Sequence, residues 1–246
     1  PFTTSSLQQD AARKLGFTSG RTMMIAQQLY EGVVLGRQGA TGLITYMRTD
    51  STRISNLAVD EARSYLSETY GRDYVPQRPN IYAMGKKAQD AHEGIRPTSI
   101  VRTPADVEPY LNRDQLRLYT LIWQRFAASQ MSAAVYDTIA AQIAAGDYQL
   151  RAHGSKLKFK GYTAVYVGAE IAKKEKDTLL PELEAGDALA LSDLKPEQHF
   201  TEPPPRYNDA SIVKTLEEMG IGRPSTYAPI IETIQKRGYV ERREKQ

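Results

Sequence analysis

The hydrophobic pattern of this chain changes period twice, and that change limits the folds open to it. Up to Met131 the apolar residues recur at helical spacing, from residue 133 to about residue 194 they alternate, and after Pro203-Pro204-Pro205 the helical spacing returns. Such a pattern predicts an α+β, multidomain protein rather than one bundle or one barrel.

Within the first part, Ser5 or Ser6 is placed to cap a helix over residues 7–15, with Gly16 as its stop. A second helix starts near Ser19 and carries Met23, Met24, Ala26, Gln27, Leu29 and Tyr30. The four glycines between Gly32 and Gly42 predict a mobile loop. Residues 56–69 again have helical spacing, and residues 71–90, with Pro76, Pro79 and Gly85, read as irregular. From residue 114 to 131, Leu116, Tyr119, Trp123 and Phe126 form one apolar stripe, expected to be core rather than a base-stacking platform.

The alternating part predicts strands over residues 135–144, 148–152, 156–160 and 189–194, with turns at Gly146-Asp147, Gly154-Ser155 and Gly186-Asp187. A basic excursion, Lys173-Lys174-Glu175-Lys176-Asp177, interrupts it, and the three consecutive prolines make a stiff linker. After the linker, Asn208 or Asp209 caps a helix ended by Gly220. Ser225 is expected to cap a second helix running to Gly238, and Tyr239-Val240 to start a strand. Helix, tight turn, helix and strand in that order resemble a winged-helix piece, a common DNA-contacting arrangement.

Charge and composition exclude several classes. The 246 residues contain no cysteine, so disulfides and thiolate chemistry are out, and His92, His153 and His199 are too scattered for a metal cluster. No apolar run approaches the ~20 residues of a membrane span, and no secretory signal pattern is present; a cytoplasmic protein is expected. A net charge of +3, from 32 basic and 29 acidic residues, is too small to argue for nucleic acid by itself. Locally, residues 151–176 hold seven Lys or Arg against two Glu, and Lys156, Lys158 and Lys160 alternate, either as a solvated strand face or as a phosphate track.

Three stretches concentrate reactive groups. The first, Thr45-Tyr46-Met47-Arg48-Thr49-Asp50-Ser51, sets a phenol beside a guanidinium. A phenol is about 0.1 % ionised at neutral pH, so it needs a neighbour that stabilises the phenolate or a base that takes its proton. Arg48 keeps its charge and its fork matches phosphate oxygens. If the run from Leu43 is extended, Tyr46 and Arg48 share a face, and tyrosine attack on a phosphodiester is the reaction suggested. The plainer alternative is a strand end with a surface Tyr and Arg. The second stretch, His92-Glu93-Gly94-Ile95-Arg96-Pro97-Thr98-Ser99, offers an imidazole to bind phosphate or move a proton, with Arg96 for another oxygen. In the third, Gly222-Arg223-Pro224-Ser225-Thr226-Tyr227, a helix N-terminus combines with hydroxyls and an arginine, as an anion site or as simple capping.

Taken in order with Pro1-Phe2-Thr3-Thr4-Ser5-Ser6-Leu7-Gln8-Gln9, Thr22-Met23-Met24, Leu29-Tyr30-Glu31 and Pro203-Pro204-Pro205-Arg206-Tyr207, these stretches resemble the type IA DNA topoisomerases over nearly the whole sequence. Met47 and Glu93 match the bacterial topoisomerase I branch, where topoisomerase III usually has Pro and His; the loop of residues 32–42 is longer than the family pattern. The resemblance implies residues 1–5 as the end of a β-arch strand and 6–131 as the helical catalytic-tyrosine domain. It further implies 132–205 as part of the β arch and 206–246 as a partial winged-helix-like DNA-binding domain. Tyr46 would be the nucleophile, joined to a 5′ phosphate, and Arg48 would stabilise the transition state. His92 would contact the DNA backbone, while Arg223, Ser225, Thr226, Arg237 and Gly238 would line a single-strand groove. Thr45, Asp50 and Arg96 are supporting DNA-binding candidates. The family's activity is ATP-independent relaxation of negatively supercoiled DNA by transient single-strand cleavage, strand passage and religation. Its Mg²⁺ site belongs to a Toprim domain expected upstream of Pro1, and both ends are expected to continue in a longer chain. The full-length enzyme would be a monomer of the bacterial nucleoid acting on single-stranded or underwound DNA, and the 246 residues alone would be inactive. Two alternatives stay open: a non-catalytic single-stranded DNA-binding module, and a piece of topoisomerase III or reverse gyrase.

Overall fold

The structure is a computed structural model that describes residues 1–82, 92–166, 180, 181 and 183–243. Helix α1 (Thr4–Asp10) continues as one wider turn, Ala11–Leu15, and stops at Gly16 with φ +68°. Its cap is Thr3 rather than Ser5 or Ser6. The Thr3 hydroxyl accepts from the Ser6 amide while Ser6 Oγ accepts from the Thr3 amide at 2.8 Å, so the first turn starts three residues earlier than expected. Helix α2 (Ser19–Glu31) is capped by Thr18, and α3 (Asn56–Tyr70) by Ser55. Between α2 and α3, the segment expected to be a mobile loop holds a small hairpin. Its strands β1 (Val33–Val34) and β2 (Ala40–Thr41) pair antiparallel, and Leu35 is buried beneath it. After α3 come a single helical turn, α4 (Pro104–Val107), and then α5 (Arg113–Ser129), capped by Asn112 through the amides of Asp114 and Gln115.

Helix α5 is the spine of the core. Of its predicted stripe, Tyr119, Trp123 and Phe126 are buried and Leu116 is partly buried; with Ile122 they share one core with Phe2, Leu7, Phe17, Ile25, Leu29, Leu43, Ile44, Ile95 and Ile100. The polar ends of the two largest stripe aromatics are satisfied. Tyr119 Oη donates to the Arg102 carbonyl at 2.6 Å and Trp123 Nε1 to the Ile100 carbonyl at 2.8 Å.

Past Met131 the chain leaves this core as a long two-stranded ribbon, β3 (Val135–Ala145) and β4 (Tyr148–Phe159), turning at Gly146-Asp147. Gly154-Ser155, expected as a turn, lies inside β4 opposite Ile139 and Thr138. A glycine in a strand need not break it, and the cross-strand ladder runs through this pair. Lys156, Lys158 and Lys160 are all exposed, consistent with a solvated or phosphate-facing edge. Residues 189–194 form no strand; Leu189, Leu191 and Leu194 are exposed, and no neighbouring strand supplies the hydrogen bonds that a β ladder needs. The basic excursion at residues 173–177 lies outside the described residues.

After an extended stretch through the prolines, α6 (Asp209–Glu218) begins at its Asn208 cap, and α7 (Tyr227–Lys236) follows. Both helices close in the same way. The amides of Gly220 and Gly238 bond to the Glu217 and Gln235 carbonyls, and the next residues, Ile221 and Tyr239, bond back to Leu216 and Ile234. Tyr239-Val240 is a bend, not the expected strand, since its amides are spent on closing α7. The α6–α7 pair lies against α1 and α2, and Ser5 Oγ donates to Glu217 Oε2 at 2.6 Å across that contact.

Two glycines at positive φ separate strain from crowding. At Gly146 (φ +60°) a Cβ would meet nothing within 4 Å, whereas at Gly161 (φ +48°), where the ribbon returns to the core, it would lie 2.4 Å from the Ala133 carbonyl oxygen. Gly146→Ala is expected to cost about 1–2 kcal/mol from handedness alone. Gly161→Ala is expected to cost about 1–3 kcal/mol more, because backbone must move. Urea denaturation midpoints of the two variants measure the difference.

Candidate active site and nucleic-acid interface

The Tyr46 segment is fixed by pairing with the chain just after His92. Thr98 donates its amide to the Leu43 carbonyl and Thr45 to the Arg96 carbonyl, both at 2.9 Å, around an antiparallel bridge between Ile44 and Pro97. Leu43 and Ile44 are both buried, so strict alternation fails here, and the pairing ends at Thr45. A bend follows at Met47-Arg48, with Met47 buried and Arg48 exposed. The extended strand expected to align Tyr46 with Arg48 is therefore replaced by a bend.

Thr4 sets that bend. Its amide donates to the Thr49 carbonyl at 2.9 Å, its hydroxyl donates to the Met47 carbonyl at 2.6 Å, and the Thr49 amide donates to the same hydroxyl at 2.9 Å. Among the described residues Arg48 makes no hydrogen bond or ion pair, so its guanidinium is available to a ligand. The Tyr46 ring is half-buried against the core, edge-on to Tyr30 at 5.4 Å between centroids and tilted against His92 at 4.7 Å. The His92 ring is thus packed against the Tyr46 ring. Sequence reading missed Tyr30 as a neighbour of Tyr46 and Thr4 as its support. Leu29-Tyr30-Glu31 was legible as a landmark, but only packing brings its ring to residue 46.

The supporting candidates carry structural bonds of their own. Thr45 Oγ1 donates to the Gly94 carbonyl at 2.9 Å and accepts from the Arg96 amide at 3.1 Å. Arg96 Nε pairs with Glu93 Oε2 at 2.7 Å, and Arg96 Nη1 donates to the Pro97 carbonyl, while Glu93 Oε1 holds the Ser55 amide at the start of α3. Asp50 sits close enough to Tyr227 of α7 to influence it. Burial first, then Glu217, and to a smaller extent Asp50, raise the Tyr227 phenol, against a lowering by Arg223.

At the N-terminus of α7 Thr226, not Ser225, is the cap residue. Its hydroxyl turns back to accept from the Arg223 amide at 2.8 Å, and Arg223 Nη1 donates to the Gly222 carbonyl. The Tyr227 amide bonds to Arg223 and Pro229 has none, so among the first-turn amides Ala228 is left to meet an anion. Arg223, Ser225 and Thr226 are exposed there. Arg237 and Gly238 are exposed at the other end of α7, about 15 Å along a ten-residue helix. Gly238 has φ +70°, which the helix stop requires by itself.

Among the described residues no group of three or more His, Asp or Glu side chains could hold a metal ion. The described residues therefore do not make a Mg²⁺ site. The Thr45 hydroxyl ties the Gly94 and Arg96 backbone together, so Thr45→Val is expected to lower unfolding free energy by about 1–3 kcal/mol while Thr45→Ser keeps most of it. Chemical denaturation distinguishes the pair.

Known proteins resemble this chain over its full length. The profile of a family described as DNA topoisomerase matches residues 1–246. The solved structure of full-length topoisomerase I from Thermotoga maritima superposes with a TM-score of 0.84 at 42% identity, covering 100% of this chain and 39% of that longer one. With a profile match end to end and a close structural counterpart over the same span, the chain belongs to the type IA DNA topoisomerase family.

Proposed function

We propose that a full-length chain carrying this sequence relaxes negatively supercoiled DNA by cutting and resealing one strand through Tyr46. The observation that carries the reading is the Tyr46 ring wedged between Tyr30 and His92, with an uncommitted arginine two residues away. In the cleavage step the phenolic oxygen attacks phosphorus, a tyrosine–phosphorus ester forms, and the bond to the 3′ oxygen breaks. The phenol gives up its proton and the departing 3′ oxygen gains one. One phosphoester replaces another, so religation needs no ATP. Arg48 supplies a permanent positive charge as negative charge builds on the phosphoryl oxygens, the type of stabilisation that most lowers such barriers. His92, in contact with the phenol ring, is placed to hold a neighbouring phosphate.

Arg223, with Ser225 and Thr226, is assigned to the single-strand groove; Arg237 and Gly238 extend it along α7. Thr45, Asp50 and Arg96 act mainly by holding the cleavage segment in place. The Mg²⁺ that type IA enzymes use would be held by residues other than those described. The 246 residues, which span 39% of the matched topoisomerase I, are expected not to relax plasmid DNA by themselves. No helix among the described residues is long and apolar enough to cross a membrane, and we assign the full-length protein to the nucleoid as a monomer.

In the full-length chain, Tyr46→Phe is expected to abolish covalent trapping of a labelled single-stranded oligonucleotide while non-covalent binding changes less than about twofold. Equal loss of both, or retained trapping, favours a non-catalytic binding module. Removing one phosphate contact by Arg223→Ala should weaken single-strand binding and flatten the slope of log K against log salt by about 0.7; an unchanged slope removes Arg223 from the groove.

A further inference from the structure

The guanidinium of Arg48 is uncommitted, but the backbone on either side of it is not, and the bonds that hold Met47 and Thr49 from across the fold lead to one residue. Thr4 is fully buried at the first position of α1. A residue there has an amide with no intrahelical partner, and Thr4 gives that amide to the Thr49 carbonyl at 2.9 Å. Its hydroxyl proton goes to the Met47 carbonyl at 2.6 Å, with the Thr49 carbonyl also within reach at 3.0 Å, and its oxygen accepts the Thr49 amide at 2.9 Å. The residues before and after Arg48 are therefore both held by the same side chain. Their own side chains are buried as well, Met47 at 0% and Thr49 at 2% exposure. A second bond, from the Ser51 amide to Thr49 Oγ1 at 3.0 Å, stiffens the exit of the bend.

We propose that Thr4 is a positioning residue for phosphoryl transfer: its hydroxyl clamps the Met47–Thr49 bend and so fixes the direction in which Arg48 leaves the backbone. Arg48 has no bond of its own to orient it, so its aim depends on the Cα–Cβ direction that the clamp sets. Valine has nearly the shape of threonine but neither accepts the Thr49 amide nor donates to Met47. The bend then loses its two side-chain tethers while the core stays filled. The inference rests on Tyr46 and Arg48 acting on DNA phosphate, as proposed above.

The test uses the full-length chain and a labelled single-stranded oligonucleotide, with the rate of covalent trapping and the non-covalent Kd measured separately. Misplacing a catalytic group by about 1 Å costs on the order of 100-fold. Thr4→Val is accordingly expected to slow trapping about ten- to 100-fold with Kd changed less than about twofold, and Thr4→Ser to restore the rate to within about threefold. Because Thr4 works through Arg48, adding Thr4→Val to Arg48→Ala should slow trapping less than about twofold further. Full multiplication of the two losses, or an unimpaired Thr4→Val, overturns the clamp. If Arg48→Ala itself keeps wild-type trapping, the phosphoryl-transfer reading fails and the clamp's role with it. Hydrogen exchange on the unmodified protein gives a test independent of whether Thr4→Val folds. The Thr49 amide, outside any helix or strand, should be strongly protected, and exchange at the rate of an open loop overturns the inference.

Discussion

Three segments far apart in sequence meet as one hydrogen-bonded layer, and the site exists because they do. Ile95 donates its amide to the Phe2 carbonyl, Thr45 to Arg96, Thr98 to Leu43, and Thr4 to Thr49. The side chains beneath these bonds, Phe2, Leu43, Ile44, Met47 and Ile95, are buried. Buried amides and carbonyls must be paired, so this apolar floor and its backbone pairing can only form together. The layer is too short to register as a sheet beyond isolated bridges at Phe2–Ile95 and Ile44–Pro97. It nonetheless decides where Tyr46, Arg48 and His92 stand.

The same layer connects the two helical parts. Helix α1 starts from it, with Thr4 turned toward the Tyr46 segment and the adjacent Ser5 turned toward Glu217 of α6. Asp50, just past the bend, reaches the surroundings of Tyr227 on α7. The Ser5–Glu217 bond thus joins α1, which carries Thr4, directly to α6.

Much of the secondary structure was legible. Helices α2, α3 and α5 follow from spacing and caps, and the stripe Tyr119, Trp123 and Phe126 is buried as its period predicts. The misreadings share a cause. Gly154-Ser155 continues a strand, residues 32–42 form a hairpin, and Tyr239-Val240 bends instead of starting a strand. In each case local turn or strand chemistry competed with pairing to a distant or neighbouring partner, and the pairing prevailed. The expected caps lie one to three residues from those found at Thr3 and Thr226, where nearby hydroxyl residues are interchangeable by type and only geometry selects one.

Residue chemistry and order alone pointed to the family that the comparisons bear out, and made Tyr46, Arg48 and His92 the candidates proposed above for nucleophile, charge partner and phosphate contact. Those properties reside in side-chain type and motif spacing, which survive without coordinates. Only the tertiary structure decided that His92 and Tyr30 touch the Tyr46 ring, that Thr45 and Arg96 are committed to holding the backbone, and that a bend clamped by Thr4 presents Arg48. Each of those facts depends on hydrogen bonds or ring contacts between residues many positions apart. Such contacts are chosen by the burial of Phe2, Ile44, Met47 and Ile95 together, which no local window of sequence contains.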